Sequence, residues 1–411
     1  MSDAPPTPIP SSPTQTYPVY SGPPLDSIRI IVASEFQVKD AFLDPYGVPT
    51  VQVSLEPTKE KFQRLLAQLR QHHLIAAIRS AGDHLTIKVF QKPPIKASRK
   101  TINLLLFLVT IGSVFSAGYY LWTNGLLGIA SIQQQLTTII DPGANPYLKS
   151  GLFAGGLLSI VGLHEFGHKA AAQHHRMDAT LPYFIPGFPP IGTFGAVISL
   201  KSPPSNRDQL FDLGFSGPIV GLVVTIVVAV LSVFLGTVPT ATQLSQLNQW
   251  SNACGAQFGT TGCISNYDFS SWPQQPLLLI VSTGLAGLAR PNAFFDGQLF
   301  FAAQVGSLLT FLNIIPAWQL DGGHIARAVL GPRGHRISSI IGLTILLGAG
   351  IFFFFSYFFF ALLMLIFMRL SRRGFAGVEP LDDVSPVSNS RKALYLSAIV
   401  LLVLTFALLP F

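Results

Sequence analysis

Long uncharged apolar runs restrict what this chain can fold into more than any other feature of its sequence. Residues 102–122 carry no charge, and neither do residues 337–368. A helix needs about 20 mostly apolar residues to cross a hydrocarbon core of about 30 Å. Charged residues make up only 11% of the chain, against about 25% in soluble domains. The sequence therefore predicts an α-helical, polytopic integral membrane protein with a lipid-facing surface.

Apolar runs of spanning length recur along the chain. Core spans are expected at 147–172, 210–235 and 295–316, with further spans at 102–122 and 393–408. The run 337–368 is too long for one crossing of the bilayer, so we expect a hairpin that turns near Gly348–Gly350 or Ser356. Residues 276–288 are short for a span and indicate a half-span or interfacial helix. The prediction is about seven spans plus a half-span.

Basic residues set the expected orientation. Lys92, Lys96, Arg99 and Lys100 precede the first span, and the cytosolic ends of spans carry an excess of such residues. We therefore expect the N-terminus in the cytosol. The net charge of +7 is explained by anchors of this kind. Nucleic acid is not expected as a partner, because no basic face is interleaved with base-stacking aromatic residues.

The loop 237–275 contains no Lys or Arg and is expected on the outer side. It holds both cysteines, Cys254 and Cys263, and either a disulfide or two free thiols fits this position. The chain opens without the features of a secretory signal or an organelle transit peptide. We therefore expect a multi-pass protein of a prokaryotic plasma membrane.

The residues before the first span divide into two parts. Residues 1–26 are rich in Pro, Ser and Thr and predict a disordered tail. Residues 27–95 predict a small cytosolic α+β domain, and residues 100–411 the membrane domain. Within 27–95, strands are expected at 28–32, 51–55, 74–78 and 85–90, and a helix at 60–72.

Three ionisable residues share one short run inside the span 147–172. The run is His164-Glu165-Phe166-Gly167-His168. On a helix, His164 and His168 lie one turn apart on the same face, where two imidazoles can bind one Zn²⁺. Glu165 lies about 100° round the helix and can take a proton from an attacking water. Gly167 is expected to leave open space beside the metal.

A catalytic zinc takes three protein ligands and keeps one open position. Asp321 is the best candidate for the third ligand, because it follows a span on the same side as His168 and two glycines come directly after it. Asp212 lies on the same side and is its rival. His324 is a candidate for an outer or fourth contact. Asp296 is expected near the opposite face and is too far away.

Two motifs together resemble the site-2 proteases, a family of intramembrane zinc metalloproteases. The first is His164–His168, and the second joins Asn313-Ile314-Ile315-Pro316 to Leu320-Asp321-Gly322-Gly323-His324. Further likeness lies in Gly192-Thr193-Phe194-Gly195 and in Gly217-Pro218-x-x-Gly221, so the resemblance covers roughly residues 100–411.

The resemblance implies regulated intramembrane proteolysis of a single-pass membrane protein. It implies that His164, His168 and Asp321 ligate Zn²⁺ and that Glu165 is the catalytic base. It also implies that Asn313 holds substrate or the oxyanion, and an amide is a suitable donor to developing negative charge.

The segment between the first two core spans is expected to bind substrate. Gly192 and Gly195 lead into a strand-like run at 196–200, which is followed by a turn at 201–204. An exposed edge strand can capture an unwound substrate segment by β-addition. The alternative interpretation is an ordinary surface hairpin beside the membrane.

Two other classes of function compete with a protease. A catalytically silent relative would bind or chaperone membrane proteins, but such a protein has no need of Glu165. A metal or solute transporter is disfavoured, because the chain shows no inverted repeat or repeated broken helices.

Overall fold

A computed structural model of the protein describes residues 22–92, 99–124, 139–258, 276–291, 294–352, 355–370 and 378–406. The chain divides into two compact units. The first contains the residues up to Ile95 together with Leu381–Ser385, and the second contains the remainder. The expected tail 1–26 lies mostly outside the described residues.

The first unit is an antiparallel sheet covered by two helices. Its elements are α1 (Leu25–Ala33), β1 (Val38–Leu43), β2 (Pro49–Val53), α2 (Lys59–Gln71), β3 (Leu74–Ala81) and β4 (His84–Gln91). The strands lie in the order β1-β2-β4-β3. Phe62, Leu65 and Leu69 of α2 are fully buried and belong to one core with Val51 and Ile87 of the sheet.

Two expectations for this unit are wrong. Residues 28–32, expected as a strand, lie in α1, and Leu25 of the expected tail begins that helix. The β-branched composition of this run favours a strand, but Ile28 and Val32 lie one helical turn apart and both are fully buried. Packing of that face against the sheet outweighs the local preference. The first strand of the sheet is β1 (Val38–Leu43), a segment for which the sequence analysis predicted no strand.

The second unit is mostly helical. Its elements are α3 (Lys100–Asn124), α4 (Pro146–His174), β5 (Tyr183–Pro186), β6 (Thr193–Val197), α5 (Arg207–Phe234), α6 (Ala241–Phe258), α7 (Leu277–Ala289), α8 (Gly297–Ile314), α9 (Asp321–Phe352), α10 (Phe355–Leu370) and α11 (Asn389–Thr405). Polar caps start the three expected core spans. Asn145, Asn206 and Asp296 each accept a backbone N–H in the first turn of the helix that follows.

Five helices of the described residues are long and apolar enough to cross a membrane, namely α3, α4, α5, α8 and α9. The protein is therefore a membrane protein, but the expected count of seven spans is not confirmed. The expected half-span is the 13-residue helix α7. Helix α9 is not one straight rod, because Gly331 has a φ of +70° and Pro332 follows it.

The apolar run 337–368 contains two helices, as a hairpin requires. Helix α9 continues past Gly350 and α10 already includes Ser356, so neither expected turning point is a turn. Helix α9 ends at Phe352, and α10 begins at Phe355. Gly350 packs directly against the backbone of Phe358, which is consistent with two helices that run side by side.

Small residues bring α4, α5 and α8 close together. The missing side chain of Gly156 on α4 leaves room for Leu299 of α8 and Val228 of α5. Gly306 of α8 faces Ile160 of α4 and Thr225 of α5 in the same way. Close approach at small residues is the usual packing mode of helices in membranes. It places the inner faces of α4 and α5 in direct contact along the length that carries the site.

Candidate metal centre

Three side chains from two distant parts of the chain meet at one point. His164 and His168 lie on α4, and Asp321 is the first residue of α9. Their donor atoms lie close enough together to hold one metal ion, and among the described residues they form the group that does so. The two histidines are buried.

The distances within this group suit zinc. His164 Nε2 and His168 Nε2 are each 3.2 Å from Asp321 Oδ2 and 3.1 Å from one another. Ligands at 2.0–2.1 Å in a tetrahedral arrangement lie about 3.3 Å apart. The three donors therefore already have the spacing that a tetrahedral zinc ion imposes.

The orientation of His168 is fixed by a backbone carbonyl. His168 Nδ1 is 2.7 Å from the carbonyl oxygen of Leu213 on α5. A carbonyl can only accept, so Nδ1 carries the proton and donates it. Nε2 then presents a lone pair toward His164 and Asp321. A metal-binding histidine commonly has this arrangement, in which the second nitrogen is held by a carbonyl.

Glycines on α5 make the space in which the ligands lie. Gly217 faces the ring of His168 so closely that a side chain there would overlap the imidazole. One turn further, a Cβ at Gly221 would lie 3.0 Å from His164 Nδ1. One turn before, a Cβ at Gly214 would lie 2.6 Å from the carbonyl oxygen of Asp321. The three glycines form one stripe against which both halves of the site are packed.

The two glycines after Asp321 serve close backbone packing, as expected. A Cβ at Gly322 would overlap the carbonyl of Ile314, and one at Gly323 would overlap the carbonyls of Ala317 and Trp318. Helix α9 therefore begins in direct contact with the end of α8. This contact is what brings Asp321 to the histidines of α4.

Glu165 is buried next to the metal-binding group but is not part of it. Its carboxylate accepts a hydrogen bond from the backbone N–H of Ile198, just beyond β6. The carboxylate therefore lies between the histidine turn of α4 and the small hairpin β5–β6. This is a suitable place for a base that acts on a water at the metal.

The expectation for Gly167 is wrong. A Cβ at this position would lie 2.7 Å from the carbonyl oxygen of Ser216 and 3.2 Å from the Cα of Gly217. Gly167 does not leave open space beside the metal, because the backbone of α5 fills that space. Its role is to let α4 and α5 approach each other at the level of the ligands.

The strand near the site begins earlier than expected. Strand β6 covers Thr193–Val197 and pairs with β5, with Tyr183 opposite Val197. No further strand among the described residues pairs with β6 on its other side. Phe194 and Val197 are exposed, so β6 is an open edge beside Glu165.

The two glycines of this segment differ in their surroundings. Gly192 has a φ of +82°, and a Cβ there would lie 2.7 Å from the backbone of Ser113 and Val114 on α3. Gly195 has a φ of +98° and faces open space within β6. Packing against α3 accounts for Gly192, whereas no neighbouring group restricts the space at Gly195.

Asp212 and Asp296 have other partners. Asp212 accepts hydrogen bonds from His175 and Arg391 at 2.8 and 2.7 Å. Asp296 forms an ion pair with Lys149 at 2.7 Å. Lys149 lies on α4 about four helical turns before His164, so Asp296 is far from the histidines. Neither carboxylate belongs to the metal-binding group.

His324 and Asn313 do not belong to the metal-binding group. His324 packs against Gly214, one turn after Asp321. Asn313 is half-buried at the end of α8, one residue before the carbonyl that Gly322 contacts. Whether Cys254 and Cys263 form a disulfide or remain free thiols lies outside the described residues, because Cys263 is not among them.

Sequence reasoning missed the groups that hold the ligands in place. The carbonyl of Leu213 has no signature in a sequence, since every residue carries one. Gly217 and Gly221 did stand out as a motif, but their reason, the room for two imidazoles, needs the packing of α5 on α4. The spacing of Gly214, Gly217 and Gly221 along one helical face was the available signal.

Known proteins match a large part of this chain. Residues 152–357 match the model of a family described as peptidase family M50. The "probable zinc metalloprotease EGY1, chloroplastic" of Arabidopsis thaliana is 30% identical over 79% of this chain and 55% of that protein. Its namesake from Oryza sativa subsp. japonica is 29% identical over 77% of this chain and 52% of that protein.

A second group of relatives matches a shorter stretch. The "probable zinc metalloprotease EGY2, chloroplastic" of Oryza sativa subsp. indica is 31% identical over 48% of this chain and 33% of that protein. The chain spans about half the length of the first two relatives. No solved structure matches it.

Proposed function

The chain belongs to peptidase family M50, the site-2 protease family of zinc metalloproteases, and from this premise we propose that it is an intramembrane zinc endopeptidase. Its proposed substrates are single-pass membrane proteins, cut in regulated intramembrane proteolysis. The observation that carries the proposal is the meeting of His164, His168 and Asp321 at 3.1–3.2 Å.

We assign these three residues as the ligands of Zn²⁺. The donor set of two imidazoles and one carboxylate is typical of catalytic zinc and leaves one position open. The proton of His168 lies on Nδ1, so Nε2 is ready to ligate without a change of tautomer. Zinc bound there supplies Lewis-acid polarisation of the scissile carbonyl and of the attacking water.

Glu165 is the proposed general base. It takes a proton from the attacking water and then gives it to the nitrogen of the leaving amine, so the carboxylate ends each cycle as it began. The hydrogen bond from Ile198 holds the carboxylate in place. Burial of Glu165 keeps bulk water away from this proton transfer.

Substrate is proposed to bind as an added strand on the open edge of β6. A transmembrane helix has its amides closed in internal hydrogen bonds, so it has to unwind before a peptide bond reaches the metal. Backbone pairing with β6 offsets the loss of those bonds. Gly195 faces open space next to this edge, and Asn313 is proposed to donate its amide to the carbonyl oxygen of the substrate.

A catalytically silent relative is the weaker proposal. Binding alone does not require a carboxylate beside the metal-binding group, and burying Glu165 without a catalytic role costs free energy. The relatives are themselves named as probable zinc metalloproteases. Both facts favour an active enzyme.

The proposed location is a multi-pass position in a membrane, with the N-terminus in the cytosol. We retain a prokaryotic plasma membrane as the proposal for the compartment. The printed names of the relatives place those proteins in chloroplasts, which does not fit that compartment. Fractionation of the source cells, with an antibody against the residues before the first span, decides between the two membranes.

The test compares Glu165→Gln with the wild-type protein, purified in detergent. We expect the variant to retain one zinc per chain and to cleave a model single-span substrate about 10²–10⁴-fold more slowly, as expected for loss of a general base. Zinc is measured by elemental analysis and cleavage by gel electrophoresis. The matched control is Gln173→Ala, an exposed change on the same helix, which we expect to cleave normally.

Two results would contradict the proposal. Equal cleavage rates for the wild type and Glu165→Gln would show that Glu165 is not the general base. If the wild-type protein, purified without chelators, cleaves membrane substrates but contains no zinc, the reaction does not depend on zinc and the proposed ligand role is wrong.

A further inference from the structure

The turn between α8 and α9 contains a strained residue. Trp318 has a φ of +49°, in the left-handed region that a bulky side chain rarely adopts. Such a conformation is unfavourable and persists only where the surroundings hold it. Trp318 lies three residues before Asp321, so whatever holds it also holds the start of α9.

Two side chains of α9 bind both backbone groups of Trp318. Its N–H donates to Ser339 Oγ at 3.0 Å, and its carbonyl accepts from His335 Nε2 at 2.9 Å. His335 and Ser339 are one helical turn apart and both are fully buried. The Ser339 hydroxyl donates to the carbonyl of His335 at 2.8 Å, which leaves its lone pairs for Trp318.

The break in α9 makes this contact geometrically feasible. At Gly331 and Pro332 the helix changes direction, and its later part packs against the turn that precedes the helix. Gly342 extends the same contact, since a Cβ there would lie 3.0 Å from Ile315. A straight α9 would carry His335 and Ser339 away from Trp318.

The position of Trp318 reaches Asp321 through a short and closely packed segment. The N–H of Leu320 donates to the carbonyl of Ala317 at 3.2 Å. Gly323 packs directly on the carbonyl of Trp318. A shift of the Trp318 backbone therefore shifts the first turn of α9, which carries Asp321.

We propose that His335 and Ser339 are positioning residues for the zinc ligand Asp321. They act through the backbone of Trp318 and touch neither metal nor substrate. This inference rests on the proposed function, because it assumes that Asp321 is a ligand. The carbonyl of Leu213 orients His168 by direct contact, whereas His335 orients Asp321 through the Trp318 carbonyl that it binds.

The test measures zinc affinity of the full chain in detergent by competition with a chelator. His335→Phe keeps a planar ring but removes the donor, and we expect zinc to bind about 10–100-fold more weakly, the range typical of losing a group that orients a metal ligand. His335→Gln restores an N–H donor of similar reach and is expected to recover most of the affinity. Arg336→Ala, at the exposed neighbouring position, is the matched control and should bind zinc normally.

Ser339→Ala is a second, independent test of the same proposal, and it changes the side-chain volume less than His335→Phe does. It leaves the N–H of Trp318 without its acceptor and is expected to weaken zinc binding in the same direction. If His335→Phe does not fold, this variant decides the matter. Cleavage is followed in parallel, and we expect kcat to fall while KM for substrate stays near the wild-type value, because the substrate edge at β6 is untouched.

Asp321→Asn separates failure of this inference from failure of the proposed function. If Asp321→Asn weakens zinc binding but His335→Phe and Ser339→Ala do not, the positioning role is wrong. If His335→Gln is as weak as His335→Phe, the loss reflects packing and not the donor, which also overturns it. If Asp321→Asn itself leaves zinc affinity unchanged, the ligand assignment under the proposed function is wrong.

Discussion

Gly217 lies directly against the imidazole of His168, with no room for a side chain between them. The contact joins two helices that cross the membrane, α4 and α5, at the level of the metal-binding group. It explains why a glycine precedes Pro218 in the middle of an apolar helix, where an alanine would be the better helix former. The His168 ring can therefore take this position only because residue 217 on α5 has no Cβ.

Replacing Gly217 by Ala is expected to displace the His168 ring and break its hydrogen bond to Leu213. We expect zinc to bind about 10–100-fold more weakly, as when other supports of a metal ligand are lost. The measurement is chelator competition on the purified protein. Gly155→Ala on α4 is the control, since nothing lies within 4 Å of a Cβ there. Equal zinc affinity in the two variants would show that the ring adapts without cost.

Asp321 and Asp212 were rivals for the third ligand, and the structure separates them. Asp321→Asn is expected to weaken zinc binding, because the amide is a poorer donor than the carboxylate at 3.2 Å from both imidazoles. Asp212→Asn is expected to leave zinc content unchanged, because Asp212 is engaged by His175 and Arg391. Elemental analysis of both variants checks this, and loss of zinc from Asp212→Asn alone would reverse the assignment.

Much of the metal-binding group was predictable from the sequence because its logic is local. His164 and His168 share a helical face through their spacing alone, and an apolar span makes three ionisable residues conspicuous. Asp321 was predictable from its place after a span on the same side as His168 and from the two glycines beside it, which allow close backbone packing. The first part of that inference depends on the order of the apolar spans, and the rest uses residues within a few positions of one another.

What was not predictable depends on packing between distant segments. Residues 28–32 have the composition of a strand, but burial of Ile28 and Val32 on one face makes them helical. Gly167 was expected to open a space that α5 in fact fills. His335 attracted no attention in the sequence, because its ring binds a backbone carbonyl seventeen residues earlier, and a carbonyl has no signature in a sequence. Such contacts leave no mark on composition or periodicity.

Arg391 is expected to stabilise the helical unit by tying α11 to α5. Its guanidinium donates to both oxygens of Asp212, at 2.7 and 2.5 Å, in a half-buried position. Arg391→Ala should lower the free energy of unfolding by about 1.5–3 kcal/mol, the usual range for hydrogen bonds to a charged group. A thermal unfolding midpoint in detergent measures this. Lys392→Ala is the exposed neighbouring control, and an equal midpoint for both variants would mean that water replaces the pair.

Asp382 is expected to hold the segment Leu381–Ser385 on the N-terminal sheet. It is fully buried, and its carboxylate accepts from the N–H of Val384 and from the N–H and hydroxyl of Ser385 at 2.6–3.0 Å. The segment in turn accepts the N–H of Ile78 on β3 at the carbonyl of Leu381, at 2.9 Å. Asp382 therefore stabilises the segment that pairs with β3, the edge strand of this unit.

Asp382→Ala removes all of these acceptors and leaves buried donors without a partner, which costs about 1–3 kcal/mol for each such group. We expect Leu381–Ser385 to detach from β3, so that the amide of Ile78 exchanges faster with solvent. Hydrogen exchange followed by mass spectrometry on peptides of β3 measures this change. Asp40→Ala, at an exposed position on β1, is the control and should leave exchange at Ile78 as in the wild type. Unchanged exchange in Asp382→Ala would show that the backbone pairing with Leu381 holds the segment without the carboxylate, because the sheet edge would then still be covered.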